Sequence, residues 1–152
     1  MFFGRHEHSV DSKGRLAVPA KYRSSLGTDV FLTRSLDPQR KCLHLYPQTT
    51  FMEIADRLEK LELTDPTERD YRDVFFGDAT DYVLDKQGRL AIPAYLREYA
   101  GILVADDDEN GTADVVVVGH RSYIQIWSRE FWREMYERVE KNPGKMPLIL
   151  EG

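Results

Sequence analysis

The chain has 152 residues, 41% of them hydrophobic and 31% charged, a balance that builds a soluble globular core and excludes a disordered chain. No apolar run approaches the ~20 residues that span a bilayer, Met1-Phe2-Phe3-Gly4-Arg5 lacks the character of a signal peptide, and the lone Cys42 excludes an internal disulfide or thiolate cluster, so a cytoplasmic protein with no membrane partner is expected. Twenty-one Lys and Arg against 26 Asp and Glu leave a net charge of −5, so any contact with a polyanion must come from locally focused cations.

In chain order, Phe2-Phe3-Gly4 leads into a strand that carries His6 and His8 on one face, and Val10 brings it to a turn, Asp11-Ser12-Lys13-Gly14-Arg15. An Asp opens such a turn, a Gly supplies a positive φ, and the Arg follows at the hairpin base with the Lys near its tip. Leu16-Ala17-Val18 is the returning strand, and Pro19 ends it and suits the first turn of a short helix over Lys21 to Leu26. Strands over Asp29 to Thr33 and Leu43 to Tyr46 follow. A helix then carries the stripe Phe51, Ile54, Ala55, Leu58 and Leu61, and Thr50 with Glu53 has the capping-box spacing to begin it. The polar stretch Thr64 to Asp70 carries a helix-start signature, continues through Tyr71, Val74 and Phe75, and stops at Gly77.

Beyond it the pattern repeats. Leu84-Asp85-Lys86-Gln87-Gly88-Arg89-Leu90-Ala91-Ile92-Pro93-Ala94 matches Val10 to Ala20 at every structurally demanding position. Phe75-Phe76-Gly77 answers Phe2-Phe3-Gly4, a short helix over Tyr95 to Ala100 follows Pro93, Asp114 to Val118 answers Asp29 to Thr33, and Tyr123 to Trp127 answers Leu43 to Tyr46. A closing helix, capped by Ser128, bears Phe131, Trp132, Met135, Tyr136 and Val139. The fold class is therefore α+β, two tandem β units related by pseudo-two-fold symmetry and packed with amphipathic helices, divided into 1–70 and 71–152. Units this small, with open strand edges, are expected to pack together, and subunits with them. The acidic run from Ala105 to Ala113 has no counterpart in the first half and reads as a solvated loop without the spacing of a calcium site.

The turn carries the chemistry. An arginine fork donates two parallel hydrogen bonds to guanine O6 and N7 or to a phosphate, which makes Arg15 and Arg89 the candidate base readers. Lys13 and Lys86 suit phosphate neutralisation, and Asp11 and Asp85 hold the turn and orient the arginine. One such turn in isolation is simply a good hairpin turn. Two copies, each followed by an apolar-Ala-apolar-Pro segment, point to a binding surface.

With its doubled Asp-x-x-Gly-Arg-Leu-Ala, the Leu45-Tyr46-Pro47 segment and the Ile126-Trp127 segment, nearly the whole chain resembles the MraZ family of the AbrB-like swapped-hairpin superfamily. The resemblance implies a nucleoid-associated regulator that forms a homo-oligomeric ring. It implies binding to double-stranded DNA at short direct repeats upstream of the cell-division and cell-wall gene cluster, its own promoter included. It also places the DNA-binding motifs on Asp11, Arg15, Asp85 and Arg89. A single good base contact discriminates by only ~1 to 3 kcal/mol, so repeated loops on a repeated operator would supply the remaining affinity by avidity. The acidic insertion departs from the family pattern by lengthening a normally short connection.

Enzymatic alternatives are thin. His6-Glu7-His8 offers two ligands without the remaining ones at any recognised spacing, and there is no Gly-rich phosphate loop, nucleophile elbow or Cys-His pair, so neither metal nor cofactor is expected. An antitoxin-like reading needs a longer tail than the stretch after Asn142. A ring-forming scaffold remains as the alternative, with Phe2, Phe3, Phe75, Phe76, Trp127 and Trp132 assigned to the core first and to subunit contacts second.

Overall fold

The computed structural model describes residues 1–104 and 109–151. The first repeat runs β1 (Arg5–Val10), β2 (Arg15–Ala17), α1 (Ala20–Leu26), β3 (Asp29–Arg34), β4 (Leu43–Pro47) and α2 (Gln48–Lys60). A connecting helix, α3 (Pro66–Gly77), leads to β5 (Thr80–Val83), β6 (Arg89–Ala91), α4 (Ala94–Tyr99), β7 (Ala113–Gly119), β8 (Ile124–Ser128) and α5 (Arg129–Lys141). The doubled strand, turn, strand, short helix, strand, strand, helix pattern is thus present in both halves.

Among the described residues, eight strands form one sheet in the order β5-β3-β4-β8-β7-β1-β2-β6, and every pairing is antiparallel. The repeats are interleaved. β1 lies on β7 from Arg5↔Val118 to Val10↔Ala113, and its equivalent β5 lies on β3 from Asp29↔Val83 to Leu32↔Thr80. β2 meets its own equivalent β6, with Arg15↔Ala91, Leu16↔Leu90 and Ala17↔Arg89 in register around the pseudo-two-fold axis. Each repeat pairs strands with the other, which is how units too small to bury a core alone become stable. Alternation along the strands sends Val10, Leu16, Val30, Leu32, Leu90, Val115 and Val117 into a shared core.

Several boundaries differ from the sequence reading. Helix α2 starts at Gln48, with Pro47 in the cap position and no side-chain cap bond, so the capping box of Thr50 and Glu53 does not form. β4 runs directly into Pro47, whose extended ψ of 146° leaves the helix to begin on the next residue, and Thr50 falls inside its first turn. Pro19 and Pro93 play the same part for α1 and α4, each starting one residue earlier than expected. Ser128 does cap α5, accepting from the Phe131 N–H at 3.1 Å, and Asp65 caps α3 through the Thr67 N–H at 2.8 Å.

Phe2-Phe3-Gly4 and Phe75-Phe76-Gly77, alike in sequence, are not alike in structure. Phe2 bridges to Arg121, whereas Phe75 and Phe76 form the last turn of α3, because the Asp65 cap and Pro66 carry the helix through Gly77. Phe2 and Trp127 are core, but Phe3 and Phe76 are exposed. The two closing helices also pack less of their stripes than expected. Phe51 of α2 is buried in a stack between Phe31 and Phe75, while Leu61 lies just past the helix and is exposed. On α5, Trp132 packs edge-on against Trp127, but Tyr136 and Val139 remain exposed.

One largely desolvated titratable group tests this packing. The His44 ring sits 3.1 Å by Nδ1 from the Tyr46 hydroxyl and 4.9 Å from the Tyr123 ring, and burial pushes its pKa from 6.5 down to about 4, helped by His120 and Arg40. The unfolded chain binds a proton here at a pH where the folded chain does not, so the stability is present above 6.5 and is lost as the pH falls toward about 4. The expected loss is roughly 2 to 3 kcal/mol. Urea unfolding at neutral pH and at about pH 4.5 should show it, and His44→Gln should flatten the difference; an unchanged pH profile in that variant would refute the assignment.

Candidate nucleic-acid interface

Both turns are built the same way. Asp11 Oδ1 accepts the backbone N–H groups of Lys13 and Arg15, both at 2.9 Å, and its Oδ2 accepts Arg15 Nε at 2.8 Å. Asp85 Oδ1 accepts from the Gln87 and Arg89 N–H groups, both at 2.9 Å, and its Oδ2 accepts Arg89 Nε at 2.7 Å. The turns close through the Gly14 and Gly88 N–H groups donating to the carbonyls of Asp11 and Asp85, with φ of +80° and +69°. Only glycine adopts that conformation without strain. The geometry shows each Asp holding its turn and orienting its Arg, as the motif required.

Desolvation would raise the Asp11 carboxyl, but the backbone and side-chain bonds from Arg15, with the Lys13 N–H, outweigh it and hold the group below its usual 3.8. The Arg89 backbone and side-chain bonds do the same for Asp85. Both carboxylates are thus ionised at neutral pH and occupy the Nε edge of their arginines. Among the described residues, no protein group bonds the terminal Nη atoms of Arg15 or Arg89, and both side chains are more than a third exposed, at 36% and 39%. The edge of each guanidinium that forms a bidentate fork is therefore available.

Pairing of β2 with β6 brings these arginines together. Leu16 and Leu90 face inward, so alternation places Arg15, Ala17, Arg89 and Ala91 on the outer face of a two-stranded ribbon. Arg15 lies opposite Ala91 and Arg89 opposite Ala17, a diagonal that sets their backbone positions about 7 to 8 Å apart. The alanines leave the ribbon low between them. Lys13 and Lys86 are exposed in the turns at either end.

Sequence reading missed Arg23 and Arg97. Each sits four residues after its proline, in Pro19-Ala20-Lys21-Tyr22-Arg23 and Pro93-Ala94-Tyr95-Leu96-Arg97, and that repetition was the available signal. Arg23 Nε donates to the Val18 carbonyl at 2.8 Å and Arg97 Nε to the Ile92 carbonyl at 3.0 Å. Each then covers the turn glycine of the other repeat: a Cβ on Gly14 would lie 2.9 Å from Arg97 Cζ, and one on Gly88 would overlap Arg23 Nε. The face so formed carries Lys13, Arg15, Arg23, Lys86, Arg89 and Arg97 on a chain whose net charge is −5.

The two turns are not identical. Ser12 donates its hydroxyl to the Glu109 carbonyl at 2.7 Å, so the far end of the acidic insertion touches the first turn, and Lys86 stands where Ser12 does in the second. Of the insertion, residues 105–108 lie outside the described residues. His6 and His8 do share one face of β1, where the His6 ring packs edge-on against Tyr22 at 5.2 Å. Among the described residues, no three His, Cys, Asp or Glu side chains gather to hold a metal ion, and no helix is long and apolar enough to cross a membrane.

Comparison with known proteins agrees with the doubled architecture. A family model described as "MraZ protein, putative antitoxin-like" matches twice, over residues 1–74 and 75–146. A protein of Herpetosiphon aurantiacus named transcriptional regulator MraZ is 43% identical over 137 residues, covering 90% of this chain and 87% of that one. Proteins of the same name from Thermomicrobium roseum and Clostridium tetani are 39% and 40% identical, the first over 90% of this chain and 88% of its own, the second over 97% and 100%.

Proposed function

Since the chain belongs to the MraZ family, we propose that it is a DNA-binding transcriptional regulator, not an enzyme, and that the β2–β6 ribbon with its two turns is the surface that meets DNA. The observation that carries this reading is the pair of aspartate-held arginines, Arg15 and Arg89, side by side on the outer face of one ribbon. A two-stranded ribbon fits the major groove, and an arginine fork there reads guanine. Asp11 and Asp85 fix the forks, while Lys13 and Lys86 neutralise phosphates and add affinity that depends on salt. The acidic remainder of the molecule suppresses indiscriminate binding, because only this face holds phosphates.

The operator is a set of short direct repeats upstream of the cell-division and cell-wall gene cluster, this protein's own promoter included. The chain works as a homo-oligomeric ring in the cytoplasm, associated with the nucleoid, each copy made of repeats 1–70 and 71–152. The ring presents many weak contacts at once, and exposed Phe3, Phe76 and Val139 leave apolar surface for subunit contacts. A scaffold role alone would leave the doubled arginine ribbon without a purpose.

The test is operator spacing. Binding to the native upstream duplex is expected to exceed binding to a single repeat by ~100-fold or more. Inserting about half a helical turn, ~5 bp, between repeats should remove most of that gain. Equal affinity for native and respaced duplexes would contradict the repeat-and-ring reading.

A further inference from the structure

We propose that Arg23 and Arg97 are a second pair of phosphate-binding groups, each completing the turn of the opposite repeat. The proposal rests on the DNA-binding reading above and extends it to residues outside the Asp-x-x-Gly-Arg motif.

Three observations converge. First, each guanidinium is fixed: its Nε is held by a backbone carbonyl, Val18 for Arg23 and Ile92 for Arg97. Second, each lies against the glycine immediately before a ribbon arginine of the other repeat, Arg23 on Gly88 beside Arg89 and Arg97 on Gly14 beside Arg15. The same Val18 donates its N–H to the Gly88 carbonyl at 2.9 Å, and Ile92 donates to Gly14 at 2.8 Å, so clamp and turn share one backbone junction. Third, both side chains are only half-buried, and among the described residues neither gives its Nη atoms to a carboxylate. Among the described residues no carboxylate pairs with either of them, in contrast to Arg15 and Arg89.

A fixed cation with its charge unspent, next to a base-reading arginine, is suited to a phosphate oxygen of the same strand. Because Nε is engaged, little rotamer freedom is left to lose on binding. The interleaved sheet thereby makes each half-site from both repeats: a lysine and a fork from one, a clamp arginine from the other.

The experiment compares wild type, Arg23→Gln with Arg97→Gln, Arg23→Lys with Arg97→Lys, and Arg15→Ala with Arg89→Ala, on the native upstream duplex across a salt series, with melting followed for each. The Gln pair is expected to bind at least 10-fold more weakly, with a salt slope shallower by about two for each chain engaged. The Lys pair, which keeps the charge and loses the clamp, should recover the slope and part of the affinity. A slope unchanged in the Gln pair overturns the proposal whether affinity falls or not, since a merely structural clamp leaves the phosphate count alone. If the Arg15 and Arg89 pair is also without effect, the DNA-binding reading fails with it.

Discussion

Leu90→Ala is expected to destabilise the protein by about 2 to 5 kcal/mol and to unfold both repeats in a single transition. Leu90 is 1% exposed and registers with Leu16, which is fully buried, where β2 crosses β6 on the pseudo-two-fold axis. Each of these strands is three residues long, so this leucine pair, with Val18 and Ile92 just beyond it, ties the ribbon to the core. Removing one side chain opens a cavity that its partner cannot fill, and close-packed interiors relax only partly around such a loss. The defect is felt by both repeats because β1 lies on β7 and β5 on β3. Leu16→Ala should cost a similar amount, and the double variant should depart from the sum because the two sites share one cavity. Calorimetry that resolved a surviving first repeat beside a melted second one would contradict the interleaved fold.

Much of this architecture was legible in the sequence. The matching of Val10 to Ala20 with Leu84 to Ala94 set the doubled topology, and the apolar runs that follow Asp29 and Asp114 marked equivalent strands. The turns were readable because Asp and Gly have local chemistry: the hydrogen bonds of Asp11 and Asp85 and the positive φ of Gly14 and Gly88 involve residues at most four apart. The pairing of β1 with β7 was not, because periodicity says which face of a strand is buried and not which strand lies beside it. Helix starts slipped where a proline ended a strand, since Pro47 supplies the geometry that the Thr50 hydroxyl would otherwise have supplied. Phe75 and Phe76 answer Phe2 and Phe3 in sequence only; the connecting helix that the sequence carried to Gly77, capped by Asp65, holds them in its last turn. Arg23 and Arg97 carried only their repeated spacing after Pro19 and Pro93 as a signal, because the glycine that each covers lies in the other repeat.

The largest functional effect is expected at Arg15 and Arg89. Each alanine substitution removes a fork that discriminates by about 1 to 3 kcal/mol, or roughly 5- to 150-fold per site, and several chains bound to one operator multiply the loss. Stability should hardly change. Both side chains are over a third exposed, and their ion pairs with Asp11 and Asp85 are solvent-screened surface pairs of small worth. The backbone N–H bonds that Asp11 and Asp85 accept survive the substitution, so the turns keep their shape. Lysine should not restore specific binding at either position, because a point charge lacks the planar fork.

Fluorescence-anisotropy titration of the upstream duplex with wild type and with the Arg15→Ala, Arg89→Ala double variant, each checked for assembly by light scattering, tests the central claim most directly. The structure predicts a variant that assembles and melts like wild type yet binds this duplex no better than an unrelated one. A variant that assembles normally and keeps its preference for the upstream duplex would show that the β2–β6 ribbon is not the DNA-binding surface.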